Sequence, residues 1–229
     1  MKTYALIVAA GQSVRFGGAV PKQFRELCGH PLLAWTISRF EGAASIERIV
    51  VVVAEEHLLY VSQKIVDPMG FRKVEKIVIG GATRRESVLR GLKSLPISTQ
   101  LVAIHDGARP LTTPADIDKV VAVAATERAA MLAIPATDTI KRVKDGLIIG
   151  TLDRNSLYQA QTPQVFQYDL IMEAHRTVDE NAEVSDDASL IEARGFKVRA
   201  VAPTSSNLKV TTQDDMLIAE MFLRREQHE

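Results

Sequence analysis

Cysteine and long apolar segments are scarce in this sequence of 229 residues. The single cysteine, Cys28, cannot form a disulfide within the chain, so a reducing compartment such as the cytoplasm is the expected location. No stretch reaches the roughly 20 apolar residues that a bilayer crossing requires, which argues against a membrane protein. The first apolar run, residues 4–10, is short and stops at Gly11. We interpret it as a buried strand rather than a secretory signal.

An excess of one charge is also missing. The 28 Lys and Arg residues balance the 28 Asp and Glu residues, giving a net charge of zero. This balance argues against a nucleic-acid or anionic-membrane partner, although a local cluster of cations can still bind phosphates. The length fits one α/β domain, since such domains often have roughly 200–250 residues. We therefore predict a single domain over residues 1–229.

Short apolar runs alternate with longer amphipathic stretches along the chain. The runs are continuous rather than alternating, which is typical of parallel strands that are covered on both faces. They occupy residues 4–10, 48–54, 76–80, 101–106, 131–135 and 197–202. This pattern predicts an α/β fold with a mostly parallel, Rossmann-like sheet flanked by helices.

Polar residues mark where several of the helices begin and end. Thr83 and Glu86 have the spacing of a capping box, which predicts a helix from there to about residue 95. Ser185 is a candidate N-cap for a helix that ends at Gly195. Thr212 has the same role before the last helix.

One segment interrupts the alternation of strands and helices. Asp145 and Gly146 stand between two β-rich segments, which is a strong short-range signal for a hairpin. A hairpin inserted into a parallel sheet has no place in its centre. We predict a β-arm at about residues 138–154 that projects from the body.

The loop after the first strand, residues 9–23, has the composition of a phosphate-binding loop. Ala10 and Gly11 allow backbone amides to approach a ligand closely, and Arg15 and Lys22 supply positive charge. The Walker pattern is absent because no Gly-Lys-Ser/Thr follows Gly11 at the required spacing. An ordinary turn with two exposed cations is the alternative interpretation.

A dinucleotide-binding dehydrogenase is a second class of protein with a glycine-rich loop after its first strand. Its glycine fingerprint is broken, because Ser13 replaces the second glycine and Pro21 stands where a helix should continue. A non-catalytic nucleotide sensor is a third class, which would need the base contacts but not the catalytic charges.

Two further strands end in candidate ligand-binding residues. Gly80, Gly81 and Ser87 follow the third strand, where bare backbone can contact a flat base, although a tight turn into a capped helix is the better interpretation of this segment alone. Asp106 follows the fourth strand, and one carboxylate suffices for Mg²⁺, which completes its coordination with water and substrate phosphates. A solvated Asp-Gly turn is the alternative interpretation of Asp106. We predict a structural role for His105, since no second His or Cys lies at metal spacing.

Three later segments, 153–154, 162–164 and 207–211, are polar without an evident structural need. Each taken singly is best interpreted as a surface loop. Seven segments in order nevertheless resemble the 2-C-methyl-D-erythritol 4-phosphate cytidylyltransferases along essentially the whole chain. These segments are AAGQSVRFGGAVPKQF, GGATRRESV, HDGARP, DTIKRV, LDRNSLYQAQTPQVF, SDDAS and NLKVT. Ribitol-phosphate cytidylyltransferases share the first loop and are the alternative.

The resemblance implies a role for each matching position. The implied catalytic residues are Arg15, Lys22, Arg154 and Lys209. The implied nucleotide-binding residues are Ala10, Gly11, Gly81, Ser87 and Asp106, with Asp106 also as the Mg²⁺ ligand. The implied substrate-binding residues are Arg109, Thr139, Arg154 and Lys209.

The resemblance also implies the reaction and the assembly. CMP would pass from CTP to a polyol phosphate, 2-C-methyl-D-erythritol 4-phosphate, with release of pyrophosphate, as a step in the non-mevalonate route to isoprenoid precursors. The protein would be a homodimer in which the two arms are exchanged across the two-fold axis. Thr139 and Arg154 would then serve the site of the opposite subunit.

Overall fold

A computed structural model describes residues 1–11, 16, 20–179 and 184–227. The strands are β1 (Thr3–Val8), β2 (Glu26–Leu27), β3 (His30–Pro31), β4 (Arg48–Val53), β5 (Val74–Ile79), β6 (Leu101–Asp106), β7 (Ala129–Pro135), β8 (Lys141–Lys144), β9 (Leu147–Thr151), β10 (Tyr158–Gln167) and β11 (Arg199–Val201). The helices are α1 (Leu32–Gly42), α2 (Leu58–Val61), α3 (Asp67–Met69), α4 (Arg84–Ser94), α5 (Pro114–Glu127), α6 (Tyr168–Thr177), α7 (Asp187–Ala193) and α8 (Gln213–Glu226). A π-helical segment, Ser62–Val66, joins α2 to α3.

One sheet of seven strands organises the described residues, in the order β11-β7-β10-β6-β1-β4-β5. The strand pairs β1–β4, β1–β6, β4–β5 and β7–β11 are parallel, which confirms the predicted mostly parallel sheet. β10 is antiparallel to both of its neighbours, β6 and β7. The six predicted apolar runs all become strands of this sheet.

The interpretation of residues 162–164 as a surface loop was wrong. They belong to β10, whose residues 161–166 are buried in the middle of the sheet. The pairing of β10 with β7 shifts register between Ala160 and Gln164. Pro163 lies within this irregularity, where a residue without an N–H is tolerated in a sheet. The polar sequence therefore hid a strand whose polar side chains are used inside the protein.

Both faces of the sheet are covered by helices, as continuous apolar strands require. In β1, Ala5 and Ile7 face one apolar cluster, which includes Phe40 of α1. Tyr4 and Leu6 face the opposite cluster, with helices α4 and α6. A third cluster packs α8 beside residues such as Leu27 and Val210. These layers hold the carboxyl ends of β1, β5 and β6 at one edge.

Two of the three predicted helix starts are as expected. Thr83 accepts a hydrogen bond from the Glu86 N–H at the start of α4. Thr212 forms a complete capping box at the start of α8. The capping box predicted for Thr83 and Glu86 is only half formed, because the Glu86 carboxylate accepts from the Ala82 N–H.

Ser185 is not the N-cap of α7, so that prediction was wrong. Asp186 caps the helix, because its carboxylate accepts from the Ser189 N–H. The neighbouring Ala188 N–H donates to the Gln164 side chain of β10, which fixes where the helix begins. Gly195 follows the helix with φ +78°, as a C-terminal glycine should.

The predicted hairpin is present as β8 and β9, a separate two-stranded sheet. Asp145 and Gly146 have φ values of 51° and 77°, which suit a tight turn with two left-handed residues. The arm carries exposed apolar side chains, among them Leu147 (71%) and Ile148 (67%).

No helix in the described part of the chain has the length and apolar character needed to cross a membrane.

Candidate active site

A cleft with a volume of ≈ 670 Å³ lies where β1, β5 and β6 end. Parallel strands bring their carboxyl ends to the same edge, and ligands in open α/β sheets bind there. The wall after β1 includes Ala10 and Gly11, the wall after β5 includes Gly81, and Asp106 closes β6. The fold therefore brings together three segments that are far apart in sequence.

The first loop is fixed at its far end by Lys22 and Gln23. The Lys22 ammonium lines the cleft and donates to the Val210 carbonyl at 2.7 Å. The Gln23 side chain donates to the carbonyls of Ala9 (3.0 Å) and Gly11 (3.1 Å). Arg15, the other predicted loop cation, lies outside the described residues. Lys22 is thus oriented from a segment just before α8.

Gly80 and Gly81 stand where the backbone of β5 meets the start of α4. A Cβ atom at Gly80 would come within 2.6 Å of the Ala10 methyl, and one at Gly81 would clash with the Glu86 side chain. The Gly81 N–H donates to the Ser87 hydroxyl at 3.1 Å, and that hydroxyl donates to the Thr83 carbonyl. The close packing leaves a bare backbone wall on this side of the cleft.

The Asp106 carboxylate lies at the centre of a cluster of three cations beside the cleft. Its Oδ2 lies 2.8 Å from the Lys209 ammonium and 3.6 Å from Arg109 Nε, and its Oδ1 lies 3.2 Å from Arg84 Nε. Burial alone would raise the pKa of Asp106, but Arg84 and Lys209 outweigh it and hold the pKa well below the usual range. The carboxylate is therefore ionised and holds three cations beside the cavity.

Arg109 and Asn207 join the segment that follows β6 to the segment before α8. The Arg109 guanidinium donates to the Asn207 carbonyl at 2.7 Å, and Thr112 donates to the Asn207 side-chain oxygen. The Asn207 amide also donates to the Thr162 carbonyl. These buried bonds hold residues 207–211 against the sheet, so that Lys209 points at Asp106.

His105 supports the backbone around Asp106 through two hydrogen bonds. The Asp106 N–H donates to the Thr162 hydroxyl (3.0 Å), which donates to His105 Nδ1 (3.0 Å). The opposite ring nitrogen, Nε2, contacts the Arg109 carbonyl at 3.2 Å. Burial lowers the pKa of His105 to about 3, so the ring is neutral. The structural role predicted for His105 agrees with these contacts.

A second, smaller cavity of ≈ 240 Å³ adjoins the cleft. The two share Arg84, Asp106 and Lys209 as a common wall. Arg109 and Thr162 line only the smaller one. The shared charges thus stand between two neighbouring binding spaces.

Two described residues that we predicted for the site, Thr139 and Arg154, line neither the cleft nor the smaller cavity. Both lie on or beside the exposed arm, where the Arg154 guanidinium donates to the Thr137 carbonyl at 3.2 Å. Within one chain the arm therefore adds nothing to the walls of the cleft.

Sequence reasoning missed Arg84, which lines both cavities. Its position as the first residue of α4, directly after the cap Thr83, was a usable signal, because that helix begins at the edge where ligands bind. It also missed the buried partner Asp187, whose Oδ2 lies 2.8 Å from Arg84 Nη1. No pattern in the sequence relates these two residues.

The side chains that could bind a metal ion do not form a cluster in the described part of the chain. No group of three or more His, Cys, Asp or Glu residues is clustered there. Asp106 is a hard-oxygen donor on the cavity wall, and a carboxylate has about four lone-pair sites, of which the neighbouring cations use some. A cation that keeps water and phosphate ligands, as Mg²⁺ does, fits such a site.

A cation-lined cleft at the carboxyl ends of parallel strands is typical of α/β enzymes that bind phosphorylated ligands. The family model described as 2-C-methyl-D-erythritol 4-phosphate cytidylyltransferase matches residues 3–225. The chain belongs to this family and is a transferase of the cytidylyltransferase class.

Individual relatives agree over nearly the full length. A 2-C-methyl-D-erythritol 4-phosphate cytidylyltransferase of Pelotomaculum thermopropionicum is 40% identical, over 99% of this chain and 96% of the relative. One of Syntrophotalea carbinolica is 42% identical, over 97% of both chains. The crystal structure of a 4-diphosphocytidyl-2C-methyl-D-erythritol synthase from Anaerococcus prevotii superposes with a TM-score of 0.84 at 28% identity, covering 97% of this chain and 98% of that one.

Proposed function

We propose that the protein transfers CMP from CTP to 2-C-methyl-D-erythritol 4-phosphate and releases pyrophosphate. The observation that carries this proposal is Asp106 with its three cations, Arg84, Arg109 and Lys209, between a nucleotide-sized cleft and a smaller cavity. The family relationship supports the identity of both substrates. The larger cleft would hold CTP and the smaller one the polyol phosphate.

The chemistry requires charge and alignment rather than a base. The substrate phosphate is already an anion at neutral pH, and its oxygen attacks the α-phosphorus of CTP while the bond to pyrophosphate breaks. Two anions must approach one another, and negative charge grows on the α-phosphate and the leaving group. Fixed positive charge that meets this growth lowers the barrier. This accounts for a site built on Lys22, Lys209 and Arg84 without a catalytic histidine.

Arg15 is part of the same proposal. The family resemblance makes it the second cation of the first loop, beside Lys22. A guanidinium can hold two phosphate oxygens at once, which suits the triphosphate.

Mg²⁺ is the proposed cofactor, with Asp106 as its protein ligand. When bound, it would neutralise phosphate charge and orient the triphosphate. Asp106 is fixed for this role by the Thr162 and His105 hydrogen bonds beneath it.

The pyrimidine base would lie against the bare backbone of Gly80 and Gly81. A side chain at Gly80 would clash with Ala10 and Ser87, so this wall consists of backbone. A base can be recognised there through backbone groups. Ala10, Gly11 and Ser87 would complete the nucleoside site. A purine is larger, so we expect ATP and GTP to be poor donors.

A homodimer with exchanged arms is the proposed assembly. The β8–β9 arm is a two-stranded ribbon with exposed Val143, Leu147 and Ile148, and such a ribbon is only marginally stable alone in water. A second copy would cover it reciprocally. Thr139 and Arg154 would then bind the substrate phosphate opposite Lys209 of the other subunit. The cytoplasm is the proposed location, because Cys28 is free.

The experiment is product formation with and without the metal. CTP, 2-C-methyl-D-erythritol 4-phosphate and Mg²⁺ should give pyrophosphate and a CDP-alcohol of the expected mass, and excess chelator should stop the reaction until Mg²⁺ is restored. Ribitol 5-phosphate in a parallel reaction tests the alternative acceptor. Full turnover in excess chelator would contradict the metal proposal, and a product with ribitol 5-phosphate alone would replace the acceptor.

A further inference from the structure

Arg84 is held between two carboxylates that come from different elements. Its Nε lies 3.2 Å from Asp106 Oδ1 at the end of β6, and its Nη1 lies 2.8 Å from Asp187 Oδ2 at the start of α7. Burial opposes the charge on Arg84, but Asp187 and Asp106 outweigh it and raise the pKa of the guanidinium. Two contacts at separate nitrogens fix the plane of a guanidinium as a single contact cannot.

Asp187 itself does not reach the substrates. Its side chain is 1% exposed and it lines neither the cleft nor the smaller cavity. Its other oxygen, Oδ1, lies 3.5 Å from Nε2 of the buried His175. A buried carboxylate is costly unless it is paired, and the contact with Arg84 supplies that pairing.

Asp187 is the fixed partner of the two. Gln164 of β10 donates to the Asp186 carboxylate (2.8 Å) and accepts from the Ala188 N–H (2.9 Å). These bonds tie the residues on both sides of Asp187 to the central sheet. Arg84, whose side chain is one-third exposed, is therefore oriented by Asp187 rather than the reverse.

We propose that Asp187 is a positioning residue for the transfer reaction. It fixes the Arg84 guanidinium on the wall shared by the two cavities, and through Arg84 it restrains Asp106. The expected effect on kcat rests on the proposed function, whereas the expected effect on the position of Arg84 does not. The growing charge of the transition state meets a cation whose place is set in advance.

The kinetic test is a double-mutant cycle of Asp187→Asn and Arg84→Ala. Asp187→Asn keeps the size of the side chain and should lower kcat by about 10- to 100-fold, as displaced catalytic groups do. In the Arg84→Ala background the same substitution should lower kcat no further, because the residue through which it acts is gone. Multiplicative losses in the double variant would overturn the proposal.

The matched control is Ser189→Ala, in the same helix. It removes a hydrogen bond to the Asp186 carbonyl and tests the stability of α7 without touching Arg84. We expect it to keep the wild-type kcat. If Asp187→Asn fails to fold, Arg84→Lys replaces it, since an ammonium lacks the fork that contacts both carboxylates. A wild-type kcat in Arg84→Lys would also overturn the proposal.

A spectroscopic measurement tests the proposal without any turnover. The Arg84 Nε–H, assigned by its loss in Arg84→Lys, should give a distinct signal in a ¹H–¹⁵N spectrum. Asp187→Asn should shift or broaden that signal, whereas Ser189→Ala should leave it in place. An unchanged signal in Asp187→Asn would contradict positioning even if CTP proved to be the wrong substrate. Absence of pyrophosphate release by the wild type would contradict the proposed function alone.

Discussion

At the scale of single residues, the cleft depends on cations whose positions are set by neighbouring backbone. Lys22 illustrates this, because its ammonium lines the cleft while it donates to the Val210 carbonyl. Lys209 reaches Asp106 from the same segment before α8. One short segment, residues 209–210, therefore orients both lysines.

Replacement of Lys22 by alanine should lower kcat by at least about 100-fold, because a fixed charge that meets the transition state is lost. Pyrophosphate release from CTP measures this. Lys93→Ala, at an exposed position near the end of α4, is the control and should behave like the wild type. Near-normal turnover in Lys22→Ala would remove this lysine from the catalytic set.

His105 gives a pH prediction that is independent of catalysis. Burial lowers its pKa from 6.5 to about 3. As pH falls, the unfolded chain takes up the proton first. The free energy of unfolding is therefore highest above about pH 6.5 and falls progressively from there towards pH 3. Between pH 7 and pH 5 the loss should be about 2 kcal/mol.

Denaturant unfolding of the wild type and of His105→Gln measures this effect. The variant should be less stable at pH 7 but should lose less stability between pH 7 and pH 5. His30→Gln, at an exposed position, should keep the slope of the wild type. Equal slopes for wild type and His105→Gln would show that His105 is not a buried neutral ring.

At the scale of elements, α8 is joined to the segment that carries Lys209. The Asp215 carboxylate accepts from the Thr211 N–H (2.7 Å), the Thr211 hydroxyl (2.7 Å) and the Thr212 N–H (2.8 Å). Burial would raise the pKa of Asp215, but these hydrogen bonds lower it. The hydrogen bonds to Asp215 thus join the start of α8 to the end of the 207–211 segment.

Replacement of Asp215 by alanine should cost about 1 kcal/mol or more, the usual magnitude for losing a helix cap. The melting temperature should fall by about 2–4 °C per kcal/mol for a chain of this size. Asp214→Ala is the matched control, since it removes an exposed acid from the same helical turn. Equal losses in both variants would reduce the effect to general helix electrostatics.

The sequence predicted the elements whose residues repeat a simple pattern. The apolar runs identified β1, β4, β5, β6, β7 and β11, and the Asp-Gly turn identified the arm. β10 was missed because Gln161, Thr162 and Gln164 are polar. Only the tertiary structure shows that they bind Asn207, His105 and Asp186, respectively.

The candidate site was predictable to the same extent. Residues at strand ends could be found, because the edge where ligands bind is a property of the fold. Arg84 and Asp187 could not be paired, since residues 103 positions apart meet only through the packing of α4 against α6 and of α6 against α7.

At the scale of the whole molecule, the arm decides whether a site belongs to one chain or to two. Thr139 and Arg154 lie away from the cavities of their own chain. In the proposed dimer they would bind the substrate phosphate in the site of the other subunit. Mixing inactive variants can separate these arrangements.

Arg154→Ala and Lys22→Ala subunits, mixed under exchange, should form heterodimers with one intact site. Activity should approach about half of the wild type per heterodimer, as expected when one of two closed, reciprocal sites is restored. A mixture of Lys22→Ala and Lys209→Ala is the control, because both residues serve the site of their own chain and neither site would be restored. No recovery in the first mixture, despite demonstrated exchange, would mean that each site is built from a single chain.

The proposed transfer from a pyrimidine nucleotide to one particular polyol phosphate can be measured as pyrophosphate release. Each of CTP, UTP, ATP and GTP is combined with 2-C-methyl-D-erythritol 4-phosphate and with ribitol 5-phosphate. We expect release with CTP and 2-C-methyl-D-erythritol 4-phosphate, and poor release with ATP or GTP. Equal use of ATP, or no release from CTP with either acceptor, would contradict the proposed transfer.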